Sequence, residues 1–236
     1  MEFYSQSGED YILYEFFDKK TDGIAIDIGA LEGIRFSNTY IFDYFLKWKT
    51  ICVEPHNYYY DLLTKNRNGE KTININEAVS NKELDEQTFF TNFRGGLSTL
   101  DKSLDKKFET FGKYFGGFEE QKTKITTLNR IIEENLNSEE KNNIDFISID
   151  VEGTEIDVLK GFDIEKYGVK IYVIEENSNS QDLINYFESF GYCSPFNFFG
   201  NMFFSKEEDL EKLNKIRWHT NIPKPIIYPH PLDTKC

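Results

Sequence analysis

Five strand-sized apolar runs, rich in β-branched residues, alternate with helix-like segments along this chain. That alternation leaves few folds open. The runs are Ile24–Ile28, Thr50–Val53, Ile73–Val79, Asp145–Ile149 and Val169–Ile174. They are apolar on both faces, as parallel strands covered on both sides must be. The intervening helical patterns are Glu9–Lys19, Asn38–Leu46, Tyr58–Asn66, Thr127–Leu136, Glu155–Leu159 and Gln181–Phe190. A doubly wound, mostly parallel α/β sheet with helices on both faces is therefore expected. The 236 residues fit one large domain.

Two stretches fall outside the alternation. Residues 92–122 are rich in Gly, Phe, Lys and Glu and read as an insertion or lid, with a helix near Ser103–Phe111. Its rings, Phe93, Phe108, Phe111, Tyr114, Phe115 and Phe118, suit a sugar-stacking wall, core packing or a homodimer contact equally. Residues 218–236 hold Pro223, Pro225, Pro229 and Pro231 and should form an extended tail.

Charge narrows the ligands. Asp plus Glu total 41 against 27 Lys plus Arg, a formal net charge of −14. Such a surface disfavours nucleic acid and anionic membranes and favours neutral or cationic ligands. No run approaches the roughly 20 apolar residues of a membrane span. Residues 1–6 lack the pattern of a secretory signal. Three cysteines, Cys52, Cys193 and Cys236, with no CxxC pair, point to a reducing cytoplasm and not to a disulfide framework.

The first strand runs into Asp27-Ile-Gly-Ala-Leu-Glu-Gly33. Ligands of open parallel sheets bind beyond the carboxyl ends of the strands, where glycines allow close backbone approach. A dinucleotide turn reads G-x-G-x-x-G, but here position 31 is Leu, and Glu32 would repel phosphate. A cationic ligand without phosphate fits better, and S-adenosylmethionine carries a sulfonium, an ammonium and no phosphate. The second strand ends at Glu54, whose paired oxygens can accept both hydroxyls of a ribose. The third ends at Ala78-Val79, small enough to flank adenine.

Several segments together resemble the FkbM family of S-adenosylmethionine-dependent methyltransferases. They are Ser5-Gln-Ser-Gly-Glu-Asp10, Ile26–Gly33, Phe36-Ser-Asn-Thr39, Cys52-Val-Glu-Pro55, Ala78–Ser80, Gly96–Ser98, Thr127–Asn129, Ile144–Gly161 with its Asp150-Val-Glu-Gly153, Val173–Glu175 and Gly191-Tyr192. The resemblance covers roughly residues 4–205. It implies a single domain of the class I methyltransferase fold, with a seven-stranded sheet and one antiparallel strand, expected at Asn201–Ser205. It also implies O-methylation of a sugar, a glycan or a polyketide-type small molecule, or a binding module of that fold without activity. Carried over by position, it implies cofactor contacts from Gln6, Gly8, Asp27, Gly29, Ala30, Gly33, Asn38, Glu54, Ala78, Val79 and Asp150. Ser7 is expected to cap the first helix.

Methyl transfer to a hydroxyl needs alignment and an activated oxygen. Asp150 and Glu152, at the end of the fourth strand, are the candidate bases, with His219 a third if the tail covers the cleft. Asp150, Glu176 and Asn177 form a candidate oxygen-ligand set for Mg²⁺ or Mn²⁺. Glu155 reads as an acid at a helix N-terminus. The chain lacks the Asn/Asp-Pro-Pro-Tyr motif that stacks an extruded base, so a nucleic-acid acceptor is not expected.

Overall fold

The computed structural model describes residues 1–92, 96–101, 117–176, 180–194 and 196–217. A seven-stranded sheet runs through the centre in the order β3-β2-β1-β7-β8-β10-β9. Its strands are β1 (Ile24–Ile28), β2 (Lys49–Val53), β3 (Thr72–Ile75), β7 (Ile144–Ile149), β8 (Val169–Glu175), β9 (Asn197–Phe198) and β10 (Asn201–Ser205). The first five are parallel, and β10 runs antiparallel to β8 with Asn201 opposite Glu175. The antiparallel strand falls where the resemblance implied. The order reverses at β1 and β7, which places a crevice beyond the ends of these two strands.

The central strands β1, β7, β8 and β10 alternate between two cores. Ile26 and Ile28 of β1 and Ile147 and Ile149 of β7 face helices α4 (Leu128–Asn135), α5 (Glu155–Lys160) and α6 (Ser180–Glu188). Ala25 and Phe146 face α1 (Glu9–Phe16), α2 (Tyr40–Tyr44) and α7 (Glu207–Arg217) on the other side. Helix α3 (Asn57–Asn66) packs Leu63 against Cys52 and Ala30. Burial on both faces is the reason the strands read as apolar runs without a polar side. Among the described residues, no helix is long and apolar enough to cross a membrane.

The structure corrects three sequence readings. The run Ile73–Val79 is two strands: β3 stays in the main sheet, while β4 (Ala78–Val79) joins a second sheet of order β4-β6-β5. The other members of that sheet, β5 (Leu84–Thr91) and β6 (Glu119–Thr126), form an antiparallel pair. Residues 119–122 therefore belong to a paired strand and not to a free excursion. The period-two pattern of Thr123–Thr126, with Thr123, Ile125 and Thr126 buried, was the missed signal. The third correction concerns the start of α1. Gly8, with φ 108°, stands at the cap position, and Ser7 supplies no cap. The Ser5 hydroxyl instead accepts from the amides of Gly8 and Asp10, at 3.0 and 3.3 Å. The expected helix at Ser103–Phe111 and the rings Phe93, Phe108, Phe111, Tyr114 and Phe115 lie outside the described residues, as does the 218–236 tail.

Candidate active site

A cleft of about 280 Å³ opens beyond the carboxyl ends of β1, β2, β4, β7 and β8. Its shape depends on the turn after β1. Gly29 has φ 92°, and a Cβ there would lie 1.8 Å from the Asp150 carbonyl oxygen. The ends of β1 and β7 thus meet at a distance only glycine allows. The amides of Gly29 and Ala30 both donate to the Val53 carbonyl, which fixes the turn to β2.

The loop from Gly33 to Thr39 is held by a buried cation. Arg67, 1% exposed, donates through Nε to Asp43 at 2.6 Å. Its Nη1 reaches the Gly33 carbonyl at 3.0 Å and Thr39 Oγ1 at 3.2 Å. Gly33 leaves room for this side chain, since a Cβ there would lie 2.6 Å from Arg67 Cγ. Asp27 accepts from Thr39 Oγ1 at 2.7 Å and Ser37 Oγ at 3.4 Å. Asn38 donates to Ser148 Oγ of β7 at 3.0 Å. The segment Ser37-Asn-Thr39 thus ties the turn to both neighbouring strands.

Glu54 is 3% exposed. Its Oε2 accepts from the Leu31 amide at 2.9 Å and its Oε1 from the His56 amide at 2.7 Å. Burial pushes its pKa up to about 7 against the pull of these two amides. Glu54 lines the cleft, and each of its oxygens can accept a further hydrogen bond.

The ends of β7 and β8 differ in character. Ligand oxygens of Asp150, Glu152 and Glu175 lie within 4.8 Å of one another. Asp150 Oδ1 is enclosed and has no hydrogen-bond partner. Burial first, and then the charges of Glu175 and Glu152, push the Asp150 pKa well up. Burial, with Glu175 and Glu155 beside it, pushes Glu152 to about 9. Glu152 sits at φ 57°, in the left-handed region, followed by Gly153 at φ 100°. Leu31 and Phe36, also on the cleft wall, share that backbone state at φ 48° and 62°. Such strain on residues with a Cβ gathers where a site dictates the backbone.

The cleft brings together most of the residues singled out from sequence: Gln6, Asp27, Gly29, Ala30, Asn38, Glu54, Ala78, Val79, Asp150 and Glu152 all line it. Gly8 and Gly33 do not; each shapes a turn behind the wall. Glu176 is outside the acidic cluster, accepting from Asn197 Nδ2, and its neighbour Glu175 occupies the expected place. The strand continues one residue further than the apolar run suggested, so Glu175 and not Glu176 marks its end. Asn177 and His219 lie outside the described residues. Glu155 behaves as read: its Oε1 accepts from the Gly153 amide at 2.9 Å.

Sequence reasoning missed Glu9, Arg35 and Asn201, all of which line the cleft. Glu9 is fully buried and accepts from Asn201 Nδ2 at 3.0 Å. Their separation of 192 positions hid this contact, which joins the N-terminal motif to β10. Gly96, Leu97, Ser98 and Leu100 also reach the wall, with Gly96 facing Leu31.

A seven-stranded sheet of order β3-β2-β1-β7-β8-β10-β9 with one reversed strand and a cleft at its switch point is the class I methyltransferase fold. Residues 27–193 match the Methyltransferase FkbM domain, and the chain belongs to that family. Similar solved structures include a methyltransferase FkbM from Methylobacillus flagellatus KT. It is 13% identical, with 78% of this chain and 43% of that one covered and a TM-score of 0.46. Human methyltransferase 10 domain containing protein is 12% identical over 84% of this chain and 82% of that one, with a TM-score of 0.46. The N-terminal domain of human METTL16 in complex with SAH is 13% identical over 84% and 66%, with a TM-score of 0.42. The chain thus spans less than half the length of the Methylobacillus protein. No curated protein sequence matches it.

Proposed function

We propose that this chain is an S-adenosylmethionine-dependent O-methyltransferase whose acceptor is a hydroxyl of a sugar or glycan. One observation carries the reading: a single cleft gathers the Gly29-Ala30 turn, Glu54, Ala78-Val79 and Asp150 from four strand ends. In this reading Glu54 accepts the ribose hydroxyls with the lone pairs its two amides leave. Ala78 and Val79 flank adenine. Gln6 and Asn38 close the cofactor side of the cleft.

The bound cofactor supplies an electrophilic methyl group on a sulfonium. The chain has to align an acceptor oxygen with that methyl and remove its proton. Asp150 and Glu152 are the candidate bases. Burial and the neighbouring carboxyl groups push the proton affinities of Asp150 and Glu152 up, as a base at a strand end requires. With a cationic ligand held beside them, one of these carboxyl groups would give up its proton to solvent and could then accept the hydroxyl proton as the methyl group passes from sulfur to oxygen. A second reading is favoured by the closeness of the three oxygens. Asp150, Glu152 and Glu175 offer the oxygen donors that Mg²⁺ or Mn²⁺ takes, and Asp150 Oδ1 lacks any other partner. A metal held there would lower the pKa of the acceptor hydroxyl.

S-adenosylhomocysteine should raise the melting temperature, and Glu54→Gln should weaken its binding about tenfold. A larger rise with NAD would sink the cofactor reading. Methyl transfer should occur on members of a neutral glycoside panel; turnover confined to polyketide-type phenols or alcohols would move the acceptor class. Binding of S-adenosylhomocysteine with no transfer to any hydroxyl would leave an inactive binding module. Activity that falls with chelator and returns with Mg²⁺ would select the metal over the carboxylate base.

A further inference from the structure

Seven acidic residues line the cleft, and among the described residues a single cation does, Arg35. It lies on the loop after β1, between Leu31, whose amide binds Glu54, and Ser37, which binds Asp27. The side chain is only 9% exposed, and its neighbour Glu32 only 6%. Their pairing is thin. Glu32 Oε1 accepts from the Arg35 amide at 3.2 Å and from Nε at 3.4 Å. The Nη2 end of the fork is buried without a hydrogen-bond partner. The Phe36 ring packs 4.7 Å from the guanidinium carbon and covers it with an apolar surface. A planar fork takes carboxylates two bonds at a time, and one long contact on Nε leaves most of that capacity unused. A carboxylate entering so acidic a cleft would be repelled everywhere else on its wall.

We propose that Arg35 is the carboxylate-binding residue of the cleft, its Nη edge receiving a carboxylate of a bound molecule. The proposal rests on the cofactor reading above. Two molecules of that reaction carry such a group: S-adenosylmethionine at its amino-acid end, and an acceptor sugar of the uronic acid type. Both present the same chemistry to the guanidinium.

Titration calorimetry on the whole chain distinguishes the sources. The ligands are S-adenosylhomocysteine and 5′-methylthioadenosine, which keeps the nucleoside and lacks the amino-acid end. Methyl glucuronide and methyl glucoside are then titrated at saturating S-adenosylhomocysteine. If the cofactor brings the carboxylate, Arg35→Met should weaken S-adenosylhomocysteine by about tenfold or more and leave 5′-methylthioadenosine unchanged. If the acceptor brings it, both nucleosides should bind as before while the glucuronide alone weakens by a similar factor. Arg35→Lys keeps the charge without the fork; if the Met variant fails to fold, it carries the test, with a loss of several-fold on the same ligand. Unchanged binding of all four ligands would overturn the proposal. Equal weakening of both nucleosides would overturn it too, since that is the mark of a merely structural residue. Wild-type protein that binds neither nucleoside would overturn the cofactor reading itself, a failure visible before any variant is made.

Discussion

Asp27 and Asp150 end adjacent strands of one sheet and line one cleft, yet their surroundings are opposite. Asp27 is met by hydroxyl donors from Thr39 and Ser37, with the Arg67 cation behind them. Asp150 meets two more carboxyl groups, and one of its oxygens has no donor. The β1 end spends its polar groups on holding a turn in place. The β7 end crowds its carboxyl groups and leaves Asp150 Oδ1 without a donor, an arrangement that costs stability. Under the proposed function, such crowding would serve catalysis, since a chain selected for stability alone would supply donors.

The change that should disturb both ends at once is Gly29→Ala. The new methyl would sit 1.8 Å from the Asp150 carbonyl oxygen, on a residue already at φ 92°. Backbone cannot yield there as a flexible side chain would. A loss of more than about 4 kcal/mol in denaturant unfolding is expected, or failure to fold. A loss below about 1 kcal/mol would mean that the two strand ends are not locked together.

Next in size are single changes that separate the two acids. Asp27→Ala strips the acceptor from two buried hydroxyls and should cost about 1–3 kcal/mol of stability. Asp150→Asn should cost little stability and remove about 10²–10⁴-fold of methyl transfer if Asp150 is the base. The pH dependence sharpens the contrast. Glu152 keeps its proton in the folded chain to about pH 9, against an ordinary value of 4.5. Between those values the folded state binds more protons than the unfolded one, so raising the pH removes stability. This contribution is whole below about pH 4.5 and lost as the pH rises through about 9. The melting temperature of the ligand-free chain should therefore fall across this range. Glu152→Gln should flatten the fall and raise the melting temperature at pH 8. A ligand-free protein whose stability is flat from pH 5 to 9 would show that the cluster is not crowded in solution.

The two ends were not equally legible in the sequence. The β1 turn could be read because its demands are local: Asp27, Gly29 and Glu54 each stand at the end of an apolar run, and strand ends follow from period and length. Asp150 and Glu152 were legible for the same reason. Glu175 was displaced by one residue because β8 outruns its apolar run, and no pattern distinguishes two consecutive glutamates at a strand end. Arg67 and Arg35 were invisible, since a buried arginine and a solvated one have the same letter and differ only in tertiary partners. The β5–β6 pair escaped because each strand begins with an exposed, mostly charged stretch, Leu84–Glu86 in β5 and Glu119-Glu120 in β6, and an irregular register between Leu84 and Gln87 breaks the alternation. The main sheet was readable because both of its faces are buried; the small sheet has one wet face and so a weaker signal.

The smallest expected effect lies at the link between the N-terminal motif and the β8–β10 side of the cleft. Glu9 accepts from the Ser7 amide at 2.9 Å and from Asn201 Nδ2 at 3.0 Å, while Asn201 pairs with Glu175 across the strands. The segment that carries Gln6 to the cleft is thus anchored beside the acidic cluster. Asn201→Ala removes one charge-assisted bond to a buried carboxylate and should cost about 1–2 kcal/mol. If the N-terminal motif covers the cofactor, the same variant should raise the KM for S-adenosylmethionine a few-fold with kcat nearly unchanged, since the base and the β1 turn are untouched. A fall in kcat at constant KM would instead assign Asn201 to the acidic cluster, where it would hold Glu175 in place. The variant therefore reports which of the two ends this contact serves, and Asn201→Asp separates the cases further. A second carboxylate there repels Glu9 and Glu175 together, so it should loosen the motif and raise the proton affinity of the cluster, moving the pH profile of kcat upward where Asn201→Ala leaves it in place.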